Sequence, residues 1–342
     1  MIKKFLIVAP GWIGDMVMAH ALIQLLKHRD VNCTIDVLAM PGIIPVVEHM
    51  PEVNTIIPAP FKHGSLNLFK RLTLGTSLRD QHYDQAIVLR NNFKSALIPW
   101  RAKIPLRTGW LGEKRWGLLN DIRYLQDKRA LRTIEKYALL VESSDTPLPA
   151  YIPRPKLSVD ANECQKTLAK FQLQTEQPIL ALCPGAEFGV AKRWPPEYYA
   201  EVAKQMQSVG WQVWLFGGPN DQAIGETLQK YLSTPCVNLI GRTRLGEAIA
   251  LLALSKVVVS NDSGLMHLSL ALDRSVVIPY GATDCGFRKD QQPKAYPLSL
   301  ELGCSPCFKR DCPLQHHRCM QDLKPQIVLD TLHTIINLKA LP

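Results

Sequence analysis

The chain lacks what several function classes require. No apolar run approaches the ~20 residues that cross a bilayer, so no membrane span is expected. It has no phosphate loop ending in Gly-Lys-Ser/Thr, and no Gly-x-Gly-x-x-Gly follows the first apolar run. P-loop NTPases and standard dinucleotide dehydrogenases are thereby disfavoured. Helix-turn-helix, zinc-finger, RNP and KH signatures are absent and aromatics are only 7%, so nucleic acid is not the expected partner. There is no internal repeat and no low-complexity tract. The opening Met1–Ala9 has basic and then apolar residues in the order of a signal peptide. It is too short, however, and meets Pro10-Gly11 with no small-residue cleavage site. It reads as a first strand in a cytoplasmic protein.

What is present reads as a folded α/β chain. Its 342 residues suit two domains, and 46% hydrophobic with 20% charged residues is ordinary globular composition. Short apolar runs at Lys3–Ala9, Cys33–Met40, Thr55–Ile57 and Gln85–Arg90 alternate with helical stretches, the first of them Met16–Lys27. That alternation means βαβ units and a parallel sheet. Asp145–Pro155 holds four prolines and reads as a stiff linker. A second series follows, with strands at Pro178–Cys183, Trp211–Phe216, Cys236–Ile240, Lys256–Ser260 and Ser275–Tyr280, and a terminal helix from Pro325 to Leu338. The expected division is 1–150, 151–324 and a terminal helix, 325–342, that could return to the first domain.

Charge of one sign is concentrated. Between Lys62 and Arg132 lie fifteen Lys or Arg and five Asp or Glu, so the whole formal excess of +10 falls in this stretch. A single lysine there is a solvated surface group. The stretch as a whole points to an anionic partner.

Ligands of open α/β sheets bind beyond the carboxyl ends of the strands, so the loops there matter most. Asn261-Asp262-Ser263-Gly264, with His267 one turn on, either binds a phosphate at a helix start or caps that helix. Pro184–Pro195 contains Gly185, Gly189, Lys192 and Arg193, cations able to neutralise a diphosphate. Asp15 in Gly11-Trp12-Ile13-Gly14-Asp15 is either a general base or an N-cap. Nine cysteines are an odd number in a chain that needs no disulfide staples. Four of them, Cys304, Cys307, Cys312 and Cys319, cluster around His316 and His317. Structural zinc and a set of reduced thiols fit that spacing equally.

Taken in order, these residues resemble bacterial ADP-heptose:lipopolysaccharide heptosyltransferases, most closely the heptosyltransferase II group. The matching segments are Pro10–Met16, Met50–Asn54, Asn92–Ala96, Arg107–Trp110, Gly117–Asp121, Cys183–Gly189, Ala191–Pro195 and Asn261–His267. The resemblance implies a GT-B fold, two Rossmann-like doubly wound domains facing a cleft. It implies inverting transfer of L-glycero-D-manno-heptose from ADP-heptose to the heptose of the lipopolysaccharide inner core, with no metal or other cofactor in the chemistry. The acceptor is a phosphorylated, Kdo-bearing lipid A, so the enzyme would work on the inner face of the inner membrane.

By the same resemblance Asp15 is the base and Lys192 lies at the donor phosphates. Donor contacts fall at Gly14, Gly185, Glu187, Lys192, Gly217, Gly218, Asp221, Thr243, Asp262, Ser263, Gly264 and His267. Acceptor contacts are expected from the charge of the basic stretch, at Lys62, Arg90, Asn91, Lys94, Arg107, Lys114 and Arg115, although Arg107 could instead hold a loop. Other readings are heptosyltransferase I or a later core heptosyltransferase, a nucleotide-sugar epimerase, and a non-catalytic nucleotide-sugar or anionic-lipid binding protein.

Overall fold

The computed structural model describes residues 2–61, 64–125, 131–144, 146–284 and 292–336. Its contacts divide the chain into two compact units, Met1–Ser158 and Val159–Pro342.

The first unit holds β1 (Lys4–Val8), α1 (Ile13–Arg29), β2 (Thr34–Ala39), α2 (Ile44–Val47), β3 (Thr55–Pro58), α3 (Leu68–Ser77), β4 (Gln85–Val88), α4 (Phe93–Arg101), β5 (Leu106–Trp110), β6 (Asp121–Arg123) and α5 (Thr133–Leu139). Its sheet runs β3-β2-β1-β4-β5-β6, every pair parallel. Four of the five β1 residues are buried, as a central strand covered on both faces requires. Leu6, Val8, Ala86 and Val88 meet Ala96 and Ile98 in the core below α4.

The second unit holds α6 (Ala161–Phe171), β7 (Ile179–Cys183), α7 (Pro196–Ser208), β8 (Gln212–Leu215), α8 (Gln222–Lys230), β9 (Val237–Asn238), α9 (Leu245–Leu252), β10 (Val257–Ser260), α10 (Gly264–Ala271), β11 (Ser275–Pro279), β12 (Ala295–Leu298), α11 (Arg318–Gln321) and α12 (Pro325–Ile336). Its order, β12-β11-β10-β7-β8-β9, repeats that of the first sheet, and all its pairs are parallel too. In each sheet the order reverses at one place, between β1 and β4 and between β7 and β10. At such a switch point the two connections leave in opposite directions and open a crevice above the strand ends.

Three strands escape the sequence reading. β5 is LRTGW and carries polar residues and a glycine. β6 is three residues long, and β12 contains Pro297. β6 and β12 are edge strands, where short length and proline are tolerated because one side needs no ladder partner. α1 begins at Ile13, earlier than the expected Met16, because Gly14 is taken into its first turn. α12 packs on α7, β11 and β12, so Pro325–Ile336 completes the second unit. Its buried Val328, Leu329 and Leu332 join the second core. Residues 337–342 lie outside the described residues.

The division falls eight residues beyond the expected boundary, because the end of the Pro-rich strap stays with the first unit. The Lys156 amide donates to His20 Nδ1 at 3.2 Å and the Ser158 amide to the His49 carbonyl at 3.0 Å. His20 is fully buried, and its Nε2 meets Glu52 Oε2 at 2.7 Å. With Nδ1 accepting, Nε2 carries the proton and donates to the carboxylate. His20→Ala removes both bonds and leaves a cavity. It is expected to destabilise the protein by about 2–4 kcal/mol, read as a shift of the denaturant midpoint. An unshifted midpoint would mean that the strap is held elsewhere.

Candidate functional site

The first switch point carries an acid without a partner. Trp12 is the N-cap of α1 and makes no side-chain cap, so Asp15 is the third helical residue and not the cap. Its half-buried carboxylate has no hydrogen-bond or ion-pair partner among the described residues. Burial pushes its pKa above the ordinary 3.8. The nearby Tyr137 hydroxyl on α5 is raised in turn, by burial first and then by the Asp15 charge. A desolvated carboxylate with nothing to stabilise its charge is more basic than one in water and is free to accept a proton.

Across the same switch point, Arg90 follows β4. Its guanidinium lies over Gly11, where a Cβ would come within 1.9 Å of Nη2. This is why a glycine stands there. Among the described residues Arg90 has no carboxylate partner; its Nη1 points at Met40 Sδ, 3.1 Å away. Arg71 is 4% exposed, with Nε on the Leu66 carbonyl, Nη1 on the Lys94 carbonyl and its charge over the Phe61 ring. Burial and the Arg90 charge together lower the Arg71 pKa to about 10. Two cations held together without a counter-ion favour an anionic ligand.

The expected acceptor surface is in part internal. Arg115 is 1% exposed, and its guanidinium is taken up by the carbonyls of Arg90 and Trp110 and by Asn91 Oδ1. Arg107 donates to the Leu118 and Ile104 carbonyls. Both brace loops, because a guanidinium has enough donors to gather several carbonyls at once. Lys114 and Asn91 are exposed and Lys94 is half-buried, whereas Lys62 lies outside the described residues.

The second switch point carries the opposite arrangement. Lys192 Nζ meets Asp262 Oδ2 at 2.5 Å, and Thr283 Oγ1 donates to the same oxygen at 2.7 Å. Burial would raise the Asp262 carboxyl, but Lys192, His267 and Thr283 outweigh it and hold the group below its ordinary range. His267 is lowered, by burial and by the Lys192 charge, against the pull of Asp262. Asp262 thus holds the lysine in place. An ammonium has three donors, so Lys192 keeps others for a second oxygen. Ser263 is the N-cap of α10 without a side-chain cap bond, so the first amides of that helix are open to an anion. Ser263 thus occupies the cap position without a side-chain cap bond, and Asp262 precedes it.

Asn261, just before this pair, is fully buried. Its Oδ1 accepts from the Trp194 amide at 3.1 Å and the Tyr199 hydroxyl at 3.0 Å, and its Nδ2 donates to the Pro184 carbonyl at 2.7 Å. It ties the loop after β10 to the loop after β7. Asp221 ties the latter to the loop after β8. Its Oδ2 accepts from the Gly218 amide at 3.0 Å and would stand 2.2 Å from a Cβ on Gly185. Gly217 is also close beneath it. Thr243 is half-buried after the left-handed Gly241, and Glu187 is exposed.

The cysteine segment belongs to this site's support. The Arg310 carbonyl accepts from the Ala191 amide at 3.0 Å and would lie 2.3 Å from a Cβ on Gly189. Phe188 stands between two cations, Lys192 Nζ at 4.8 Å and the Arg310 guanidinium at 5.6 Å from its ring centre. The Phe308 amide donates to the Ala282 carbonyl and Ser305 Oγ to the Gly281 carbonyl, next to Thr283. Cys304, Cys307, Cys312 and Cys319 line one pocket with His316 and His317 and are free thiols. Burial and then the other three thiols push Cys319 up. Among the described residues no three His, Cys, Asp or Glu side chains are grouped to hold a metal ion. Thr283, Phe188 and Arg310 were not singled out from sequence. Thr283 is twenty-one residues from its partner with a strand between, and nothing local marks it.

Comparison with known proteins agrees with this arrangement. The model of the family described as Glycosyltransferase family 9 (heptosyltransferase) matches residues 71–318. Lipopolysaccharide heptosyltransferase 2 of Salmonella typhimurium is 42% identical over 343 residues, covering 98% of this chain and 99% of that protein. The structure of E. coli ADP-heptose lps heptosyltransferase II superposes with a TM-score of 0.87 at 40% identity, covering 98% of this chain and 99% of that one. A glycosyltransferase family 9 structure from Veillonella parvula has a TM-score of 0.82 at 18% identity, over 98% and 97% of the two chains, which shows the fold alone. The chain belongs to glycosyltransferase family 9, the heptosyltransferases, and its two Rossmann-like sheets are those of the GT-B fold.

The support role of the cysteine segment is testable. Gly189→Ala places a methyl group against the Arg310 carbonyl, so that backbone must move. A nucleoside diphosphate is expected to bind about five- to tenfold more weakly, roughly 1–1.4 kcal/mol, by titration calorimetry. Unchanged affinity would separate the segment from the phosphate site.

Proposed function

From membership of glycosyltransferase family 9, we propose that this enzyme transfers L-glycero-D-manno-heptose from ADP-heptose to the heptose of the lipopolysaccharide inner core, with inversion at the anomeric carbon. The observation that carries the reading is the pair of contrasting centres in a chain 42% identical, over almost its whole length, to a heptosyltransferase 2. One centre is a carboxylate with nothing to neutralise it. The other is a lysine beside an open helix start.

Each centre suits one half of the reaction. Asp15 takes the proton of the attacking acceptor hydroxyl, and the new bond forms as the diphosphate departs from the opposite side of the sugar. Lys192 and the first amides of α10 neutralise the charge that grows on leaving ADP. Fixed cationic groups of this kind act without reorganising, and this reading assigns the neutralisation to them. Asp262 and Thr283 hold Lys192 in place. Arg90 suits the anionic groups of a phosphorylated, Kdo-bearing lipid A acceptor, a narrower assignment than the full basic stretch. An acceptor anchored by lipid places the enzyme at the cytoplasmic face of the inner membrane as a peripheral protein. Among the described residues no helix is long and apolar enough to cross a membrane. Incubation with ADP-heptose and defined truncated core acceptors, read by product mass, tests the whole assignment; no mass gain on any heptose-terminated core would overturn it.

Asp15→Asn keeps the shape and removes the base. Turnover is expected to fall by about 10²–10⁴-fold with ADP affinity little changed. In the unsubstituted enzyme the rate should rise with pH through the elevated Asp15 pKa, and this limb should vanish in the variant. The stability sign is opposite to that of a paired carboxylate. A raised native pKa means the folded state binds the proton more tightly, so stability falls as pH rises from about 3.8 through the raised value. The variant should therefore be no less stable at neutral pH, by thermal melt. Near-normal turnover in Asp15→Asn would remove the base assignment.

Lys192→Ala is expected to weaken ADP binding by the loss of a charge-assisted contact, about 1.5–3 kcal/mol. It also leaves Asp262 without its cation, so Lys192→Arg serves as the control that keeps the charge. Calorimetry showing ADP affinity equal in all three proteins would move the diphosphate elsewhere.

A further inference from the structure

Four large aromatic side chains stand exposed at one end of the first sheet. Trp12 is 54% exposed, Phe69 83%, Phe93 40% and Trp116 62%. Each comes just after a strand: Trp12 after β1, Phe69 in the first turn of α3 after β3, Phe93 at the start of α4 after β4, and Trp116 after β5.

These loops are tied to one another. The Arg90 guanidinium covers Gly11, and the Arg90 carbonyl accepts from Arg115 Nη1 at 2.6 Å. The Glu113 amide donates to the Asn91 carbonyl at 3.1 Å, and Arg71 Nη1 donates to the Lys94 carbonyl at 3.4 Å. The aromatics therefore lie on linked segments at the carboxyl end of the sheet, the end that carries Asp15 and Arg90. Lys70 and Lys114 are exposed between them. The acid among them, Glu113, is engaged by the Phe93 amide at 2.8 Å.

Exposed aromatics interleaved with cations are costly in water and suited to the boundary between lipid headgroups and chains. The exposed Lys70 and Lys114 at this end complement an anionic leaflet. We infer that this aromatic and cationic rim docks on an anionic lipid bilayer, so that the enzyme takes its acceptor from the membrane surface through the mouth of the first sheet. This deepens the glycolipid reading, on which the choice of acceptor rests, but the contact itself is with lipid.

The test is co-sedimentation of the full chain with vesicles of phosphatidylcholine alone or with about a third phosphatidylglycerol, at low and raised salt. Binding to the anionic vesicles is expected, weakening with salt. The double variant Phe69→Ser, Trp116→Ser is expected to lose about tenfold or more of that binding, and Lys70→Gln a smaller part with a flatter salt dependence. Both substitutions fall on exposed side chains, so folding should be kept. Turnover on a deacylated, water-soluble acceptor without vesicles should be unchanged in the double variant.

Equal vesicle binding by the double variant and the parent overturns the proposal, as does parent binding that ignores lipid charge. If the double variant instead loses turnover on the soluble acceptor, the aromatics hold its sugars and the docking surface is again overturned. A parent that binds anionic vesicles through this rim yet transfers no heptose would sink the acceptor reading and leave the membrane surface standing.

Discussion

A buried amide must find partners, and the second unit builds its site by satisfying one. Asn261 sits at the end of β10 with no access to water, and its three partners all lie on the chain that leaves β7. Leaving such a group unpaired costs about 1–3 kcal/mol for each lost partner, so the two loops are locked in one mutual arrangement. Lys192 lies on one of these loops and Asp262 on the other. Asn261 thus helps to set the spacing at which the two charges meet. Trp194 extends the same constraint, its indole donating to the Leu323 carbonyl and so drawing the end of the chain onto the sheet.

The two switch points share a strand order and differ in electrostatics. At the second, Lys192 and Asp262 are paired with each other, and the carboxylate is held below its ordinary pKa. At the first, Asp15 and Arg90 are both desolvated and neither has an ionic partner among the described residues. Unpaired desolvated charge is unfavourable and is usually removed unless a ligand completes it. An acid that must take a proton and a cation that must meet an anion are the cases in which it is kept. Gly11 and Gly185 serve these centres in the same way, by leaving room for the side chain that lies over them.

The cysteine segment acquires its meaning from packing, not from its thiols. Arg310 contributes a carbonyl to the Lys192 loop and a cation near the Phe188 ring. Ser305 and Phe308 fasten the same segment to the loop that carries Thr283. Two loops that meet at Asp262 are thus held from behind by one stretch of chain.

Much of this molecule could be read before it was folded. Apolar runs gave away nine of the twelve strands among the described residues, and seven of the nine are interior strands, where burial on both faces leaves no polar face to hide the pattern. The Pro-rich strap marked two domains, and the loops after β1, β7 and β10 were legible because glycines, cations and carboxylates gather there at short range. Edge strands β6 and β12 were lost, since few residues of either need be apolar. The distinction between Asp15 as cap and Asp15 as base was also beyond the sequence: it turns on whether α1 starts at Ile13 or after the acid. So did the division of the basic stretch. Composition sees fifteen cations there, but only the fold decides that Arg115 and Arg107 spend their donors on carbonyls while Arg90 has no carboxylate partner among the described residues. The sequence fixes which groups exist and in what order. Burial and partners arise from residues distant along the chain, and those alone decide which charges remain available.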